Sequence, residues 1–395
     1  MAKTKHQSRG GSKEKPTQTP EELYTLATES LEQLDLEAAH AHAEALLHLV
    51  DTDLATKKST IPQPLALPAL NLLGEISIEL GDEDAARVYF QFSVAGDPDG
   101  SVPEEAGGGA EKFLWLAQLS TDGGFDSVQW FEKGVSVLKT QISALEAGKS
   151  SLAADQVAVL LEDKRERVAN ALCSVAEIYM TDLSWEEDAE NRCEALITEA
   201  LLFAPEDPSV LQTLASIRLS QVKFEEAQSA LTRSMALWED LDPDDEAVPD
   251  FATRVSLARL LMEAEMEDEA MVVLERLALE DDQSVEACYL GGWCLNLMAE
   301  KSKPSASGIT NGNSGSSPSE ADANSLRHAS WKWLRNTIKL YDAQQYEDIN
   351  LRQHTDELLE GMQNEPGFVP PAEEAEEIEE WVDDADSGDE EMAES

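Results

Sequence analysis

Residues 70–98 read LNLLGEISIELGDEDAARVYFQFSVAGDP. Leu70, Leu73, Gly74 and Ile78 recur at helical spacing and fall on one side of a helix. Gly81-Asp82 supplies a turn, Ala86 and Phe90 give a second helix its inner face, and Pro98 stops it. The diagnostic interval is Gly74–Ala86–Phe90: a small residue late in one helix, another twelve residues on, and a residue four further that completes the face. Small side chains at these points let two antiparallel helices approach closely, and the third position fills the seam. Ala27–Ala39–Ala43, Ala215–Ala227–Leu231 and Ala258–Ala270–Leu274 keep the same interval. One such row means little, because alanine is common. Four in register predict an array of helical hairpins, a class that works by presenting a long concave surface.

Outward from this stretch the pattern continues. Pro20-Glu21-Glu22 opens a helix, with proline at the first turn and acids facing the positive end of the dipole. Asp35–Glu37 turns the chain into a second helix through Leu49, and a Pro-rich segment, residues 61–68, leads to the pair above. Asp97–Gly100 and Gly107–Gly109 read as a linker. Phe113–Ser120 and Val128–Leu138 make a third, irregular pair, because Gln129 stands where a small residue belongs. A charged helix is expected over about 140–165. Ala169–Met180 and Cys193–Phe203 form a fourth pair with a lengthened turn carrying Trp185. Pro208–Leu219 with Phe224–Trp238, and Phe251–Glu263 with Asp268–Ala278, form the fifth and sixth. The seventh begins at Ser284, has Leu290 and Gly291 at its seam, and resumes at Ala329 after a Ser/Gly/Asn-rich insert at 301–324 that should be disordered. Residues 345–362 read as a capping helix. The expected fold is therefore an all-α helical-hairpin solenoid of about seven repeats over residues 20–362. A disordered basic N-terminus (1–19) and a disordered acidic tail (363–395) flank it.

Acidic residues outnumber Lys and Arg 80 to 29, a net charge of −51. Residues 372–395 hold thirteen Asp/Glu and no Lys or Arg, yet most of the excess lies in the body. Such a field repels phosphates and so argues against nucleic acid and anionic membrane as direct ligands. It favours a strongly basic partner. Four scattered cysteines, Cys173, Cys193, Cys288 and Cys294, read as small packing residues of a reducing compartment. The opening MAKTKHQSRGGSKEK has no apolar core and is no signal peptide, and no run approaches the length of a membrane span. Cytoplasm and nucleus are the expected locations.

The 34-residue unit from Cys193 to Ala227, with Leu214–Ala215, Phe224–Glu225–Glu226–Ala227 and Leu231 in place, resembles the tetratricopeptide repeat. The resemblance covers roughly residues 20–362 and implies a right-handed superhelix whose first helices line the groove. Most of the Trp and Tyr expected in those helices are missing, although Tyr179 fits. The layout as a whole is similar to the fungal dedicated assembly chaperones of large-subunit ribosomal protein four. It shares with them a short basic start, an acidic repeat body, a late insert and an Asp/Glu tail. That resemblance implies a basic ribosomal protein as client, bound through its long basic internal loop; the chain is expected to be a monomer when free.

If first helices line the groove, Glu75, Glu79, Glu111, Asp122, Glu177 and Glu263 face it, with Asn71, Gln118 and Gln212 supplying hydrogen bonds beside them. Asp240, Asp242, Asp244, Asp245 and Glu246 form a loop that either clasps a basic segment or merely links two pairs. Ser387 has the acidic surroundings that acid-directed kinases prefer. Trp331 and Trp333 sit two apart, so both cannot face one core, and a capping role fits the outer one better than binding. Enzymatic readings have little support. The six histidines show no metal-ligand spacing, and Gly107–Gly109 lacks the lysine of a phosphate loop. No catalysis, cofactor or metal is expected. Two further functions compete with the escort: an adaptor for heat-shock chaperones, and a scaffold subunit that binds basic proteins such as histones. The adaptor clamp needs cationic and amide side chains where this chain has Tyr24, Thr28, Asn71 and Glu75; Asn71 alone fits, and Glu75 would repel an acidic ligand.

Overall fold

The computed structural model describes residues 18–50, 65–149, 152–302 and 320–371. They form fifteen α-helices and one short 3-10 turn, with no strand among them. The helices pair as the spacing predicts: α1 (Pro20–Glu32) with α2 (Leu36–Val50), α3 (Ala66–Glu79) with α4 (Glu83–Gly96), α5 (Glu111–Gln118) with α6 (Gly124–Glu146), and α7 (Ala154–Met180) with α8 (Ala189–Phe203). Then come α9 (Pro208–Ser220), α10 (Phe224–Ala236), α11 (Phe251–Glu263), α12 (Glu267–Glu280), α13 (Val285–Lys301), α14 (Glu320–Gln344) and α15 (Ile349–Gln363). The chain divides into two compact units, Met1–Ile217 and Arg218–Ser395, so the division falls within α9.

Within each unit the small-residue rows are the seams. Every non-glycine member of the four rows has 0 % exposure. A Cβ on Gly74 would lie 2.6 Å from the ring of Phe90, itself fully buried, so this hairpin closes only around a glycine. Gly291 meets the ring of Trp333 in the same way. The irregular α5–α6 hairpin replaces the missing small residue with Ser127, whose Oγ donates to the Ala117 carbonyl at 2.7 Å. Phe131, four further on, fills the seam.

Helix ends follow from local chemistry. Thr19 caps α1, with its side chain accepting from Glu22 N and Glu22 returning the bond to Thr19 N, ahead of Pro20 at the first position. Four hairpin turns share a left-handed residue, Leu34, Gly81, Val222 or Glu265. In each, the next amide bonds back to a carbonyl five residues earlier: Asp35 to Ser30, Asp82 to Ser77, Lys223 to Arg218 and Met266 to Leu261. This closes the helix C-terminus with the same device each time.

Four expectations need correction. No separate helix spans 140–165: α6 runs on to Glu146 and α7 begins at Ala154, because the apolar stripe of each neighbouring helix extends that far. Residues 66–68 open α3 instead of preceding it. The insert at 301–324 is narrower, with Lys301 ending α13 and residues 320–324 inside α14. As their two-residue spacing implies, Trp333 is half-buried against α13 and Trp331 is buried against α15, so the two aromatics pack on different neighbours. Residues 364–371, read as tail, return over α14, where Phe368 packs on Trp331. The basic start up to residue 17, the core of the insert (303–319) and the tail from 372, with Ser387, lie outside the described residues.

Candidate functional site

The segment 97–110, read from sequence as a linker, is a packed loop and one wall of a site. Asp97 and Lys112, each with a side chain 1 % exposed, form an ion pair of 2.7 Å. Asp97 also accepts from the amides of Ser101 and Val102, and Lys112 donates to the Gly109 carbonyl. Lys164 of α7 donates to both oxygens of Glu104 at 2.9 and 2.8 Å and to Gln141 at 3.1 Å. Asn71 of α3 donates to the Gly107 carbonyl at 2.9 Å and accepts from Ser93. Gly107 has φ +77° and packs directly on the backbone of Leu67 and Pro68, where a Cβ has no room.

This loop closes a cavity of about 390 Å³ lined by Tyr24, Asn71, Glu75, Glu104, Glu105, Glu111 and Arg167, among others. Four carboxylates meet here. Glu104 is neutralised by Lys164 and Glu111 by Arg167. Glu75 and Glu105 have no cation beside them among the described residues. Burial raises the Glu75 carboxyl above the usual carboxylate range. A half-buried carboxylate of this kind is stabilised in its charged form when an ammonium or guanidinium arrives.

A second acidic group in the same unit joins α7 to the start of α9. Glu177 and Cys173 of α7 both face Thr213 of α9. Desolvation by its neighbours raises the Glu177 carboxyl, although the residue is exposed. Glu166 is raised by burial and then by repulsion from Asp207, Glu162 and Asp163. Gln212 beside them is buried, and its Nε2 has no partner.

In the other unit, the 239–250 loop is held at both ends. Arg276 donates to the carbonyls of Glu239 and Leu241 at 3.1 and 2.7 Å. Arg254 donates to Pro249 at 2.8 Å and pairs with Glu280 at 2.7 Å. Asp242 and Asp245 cap amides of their own loop, and Asp240, Asp244 and Glu246 project into solvent. Glu263 is exposed at the end of α11.

The fold thus brings together Asn71, Glu75 and Glu111 of the residues singled out by sequence, and separately Glu177 and Gln212. Asn71 is committed to holding the loop and Glu111 to Arg167. Glu79, Gln118 and Asp122 are exposed and do not line the cavity. Sequence reasoning missed Glu104, Glu105, Glu166 and Asp207. The first two lie in a Pro/Gly-rich stretch whose order depends on the buried Lys112–Asp97 pair, and nothing in the local sequence announces that pair.

All four cysteines are buried and free, and burial pushes the Cys173 and Cys294 thiols up to about 12. Among the described residues no group of three His, Cys, Asp or Glu side chains is placed to hold a metal, and no helix is long and apolar enough to cross a membrane.

Helical hairpins with small-residue seams define a tetratricopeptide-like helical-hairpin repeat protein. No protein-family model matches the sequence. A probable assembly chaperone of rpl4 from Emericella nidulans is 45 % identical over 98 % of this chain and 95 % of its own length. A second, from Schizosaccharomyces pombe, is 32 % identical over 79 % of this chain and 84 % of its own. A solved structure of an assembly chaperone of RpL4 (Acl4), residues 1–338, superposes with a TM-score of 0.66 at 52 % identity, covering 72 % of this chain and 98 % of that one. The chain belongs to the family of assembly chaperones of rpl4.

Proposed function

We propose that this chain is a dedicated chaperone that binds newly made large-subunit ribosomal protein four, shields its basic internal loop and escorts it to the pre-ribosome for large-subunit assembly. The relation to the Emericella chaperone along almost the whole of both chains carries the reading. The site chemistry supports it. An unassembled basic loop attracts RNA and other polyanions, and carboxylates such as Glu75, Glu105 and Glu177 give it many weak, quickly formed contacts instead. Ribosomal RNA, with a denser negative charge, then draws the same cations away. On this reading the chain acts without catalysis or cofactor, binds neither nucleic acid nor membrane itself, is a monomer when free, and works in cytoplasm and nucleus.

The test is recovery of the tagged chain from cells at low and high salt. The expected result is one basic ribosomal protein in near-equal amount, lost as salt rises and weakened by Glu75→Lys, Glu105→Lys and Glu177→Lys together. Recovery of heat-shock proteins, or of several stoichiometric neighbours, would instead support an adaptor or a scaffold. If the client remains bound through the triple reversal, these carboxylates are not its surface.

A further inference from the structure

One exposed face of this acidic chain is basic. On α14, His328, Lys332, Arg335 and Lys339 follow at intervals of four, three and four residues, which sets all four on one side of the helix. The other side, with Trp331, Leu334 and Thr337, is buried. Lys332 and Lys339 are exposed, and among the described residues neither meets a carboxylate; Arg335 is already engaged. Several other cations are drawn into the fold, as Lys112, Lys164, Arg254 and Arg327 are.

The chain delivers its most acidic segment to the head of this face. After α15 it returns over α14. Glu365 pairs with Arg327 at 2.8 Å, the Phe368 ring packs on His328 and Trp331 with centroids 5.2 and 5.6 Å apart, and the Val369 carbonyl lies 3.0 Å from His328 Nε2. Glu373 and Glu374 follow Val369 by four and five residues, and Glu376, Glu377, Glu379 and Glu380 come next. Four extended residues span up to about 14 Å. Along the helix axis, Lys332 lies about 6 Å and Lys339 about 16 Å beyond His328. The cations are within reach of the first carboxylates, and a short tether gives those carboxylates a millimolar-range effective concentration.

We propose that residues 373–380 dock on the His328–Lys339 face of α14 in the same molecule, independently of any client. The contact is between exposed charges and is screened by salt.

The test uses the full chain, labelled with nitrogen-15 and free of client, beside a synthetic peptide of residues 372–395. At low salt the amide signals of Glu373–Val382 should be displaced from their positions in the peptide. Lys332→Glu with Lys339→Glu should return them to the peptide positions, as should about 0.5 M salt, whereas Lys149→Glu should leave them displaced. If the double reversal disturbs the helical circular dichroism, Lys332→Gln with Lys339→Gln replaces it, and a partial return is then expected. Tail signals that coincide with the peptide in the unmodified chain overturn the proposal. A displacement that survives both double variants overturns the assigned face, and one that grows with protein concentration assigns the contact to a second copy.

Discussion

Glu75 and Val222 each stand in surroundings that oppose their chemistry, and each gives a prediction at the scale of one residue. The fold disfavours the ionised Glu75 carboxyl. The stability linked to its raised pKa is present below the ordinary carboxylate pKa and is lost as pH rises through the folded one. Glu75→Gln should therefore melt higher than the unmodified chain at pH 7, with the gap closing below about pH 4, as thermal unfolding across pH would show. The same substitution should weaken capture of a basic client by up to about 1 kcal/mol, read by titration calorimetry. Val222 holds φ +60°, a conformation that β-branched residues rarely adopt. Val222→Gly should gain about 0.5–1 kcal/mol in urea unfolding, since relief of the left-handed strain exceeds the entropy glycine adds to the unfolded chain.

Among elements, the 97–110 loop depends most on a single pair. Asp97→Ala would leave the Lys112 ammonium buried without its counter-ion, costing about 3–5 kcal/mol. Amide exchange across residues 97–110 should rise well before the remote α1–α2 hairpin responds. Such a loop is also where reading from sequence stopped. Helix pairing within each unit was legible because Ala27, Gly74 and Ala258 repeat an interval that any packed hairpin needs. Helix starts at Ser284 and Pro20 were legible for similar local reasons. The wall formed by Glu104 and Glu105 was not, because it is held by the buried Lys112–Asp97 pair and by Lys164, which is sixty residues from Glu104. Nor could spacing alone show that Asn71 is occupied by Gly107, or that Phe368 folds back on Trp331. Helix faces announce themselves by period, whereas a loop held by distant side chains has no period to read.

For the whole molecule, a net charge of −51 makes association with a basic protein steep in ionic strength. The association rate should fall by at least about ten-fold between low and physiological salt while dissociation changes less, which stopped-flow mixing would measure. The sealed thiols have a separate use. With Cys173 and Cys294 held in their protonated form and all four sulfurs covered, the native chain should resist iodoacetamide at neutral pH, and the denatured chain should take up four carbamidomethyl groups. Intact mass after a brief alkylation pulse would then count unfolded molecules directly, with no added label.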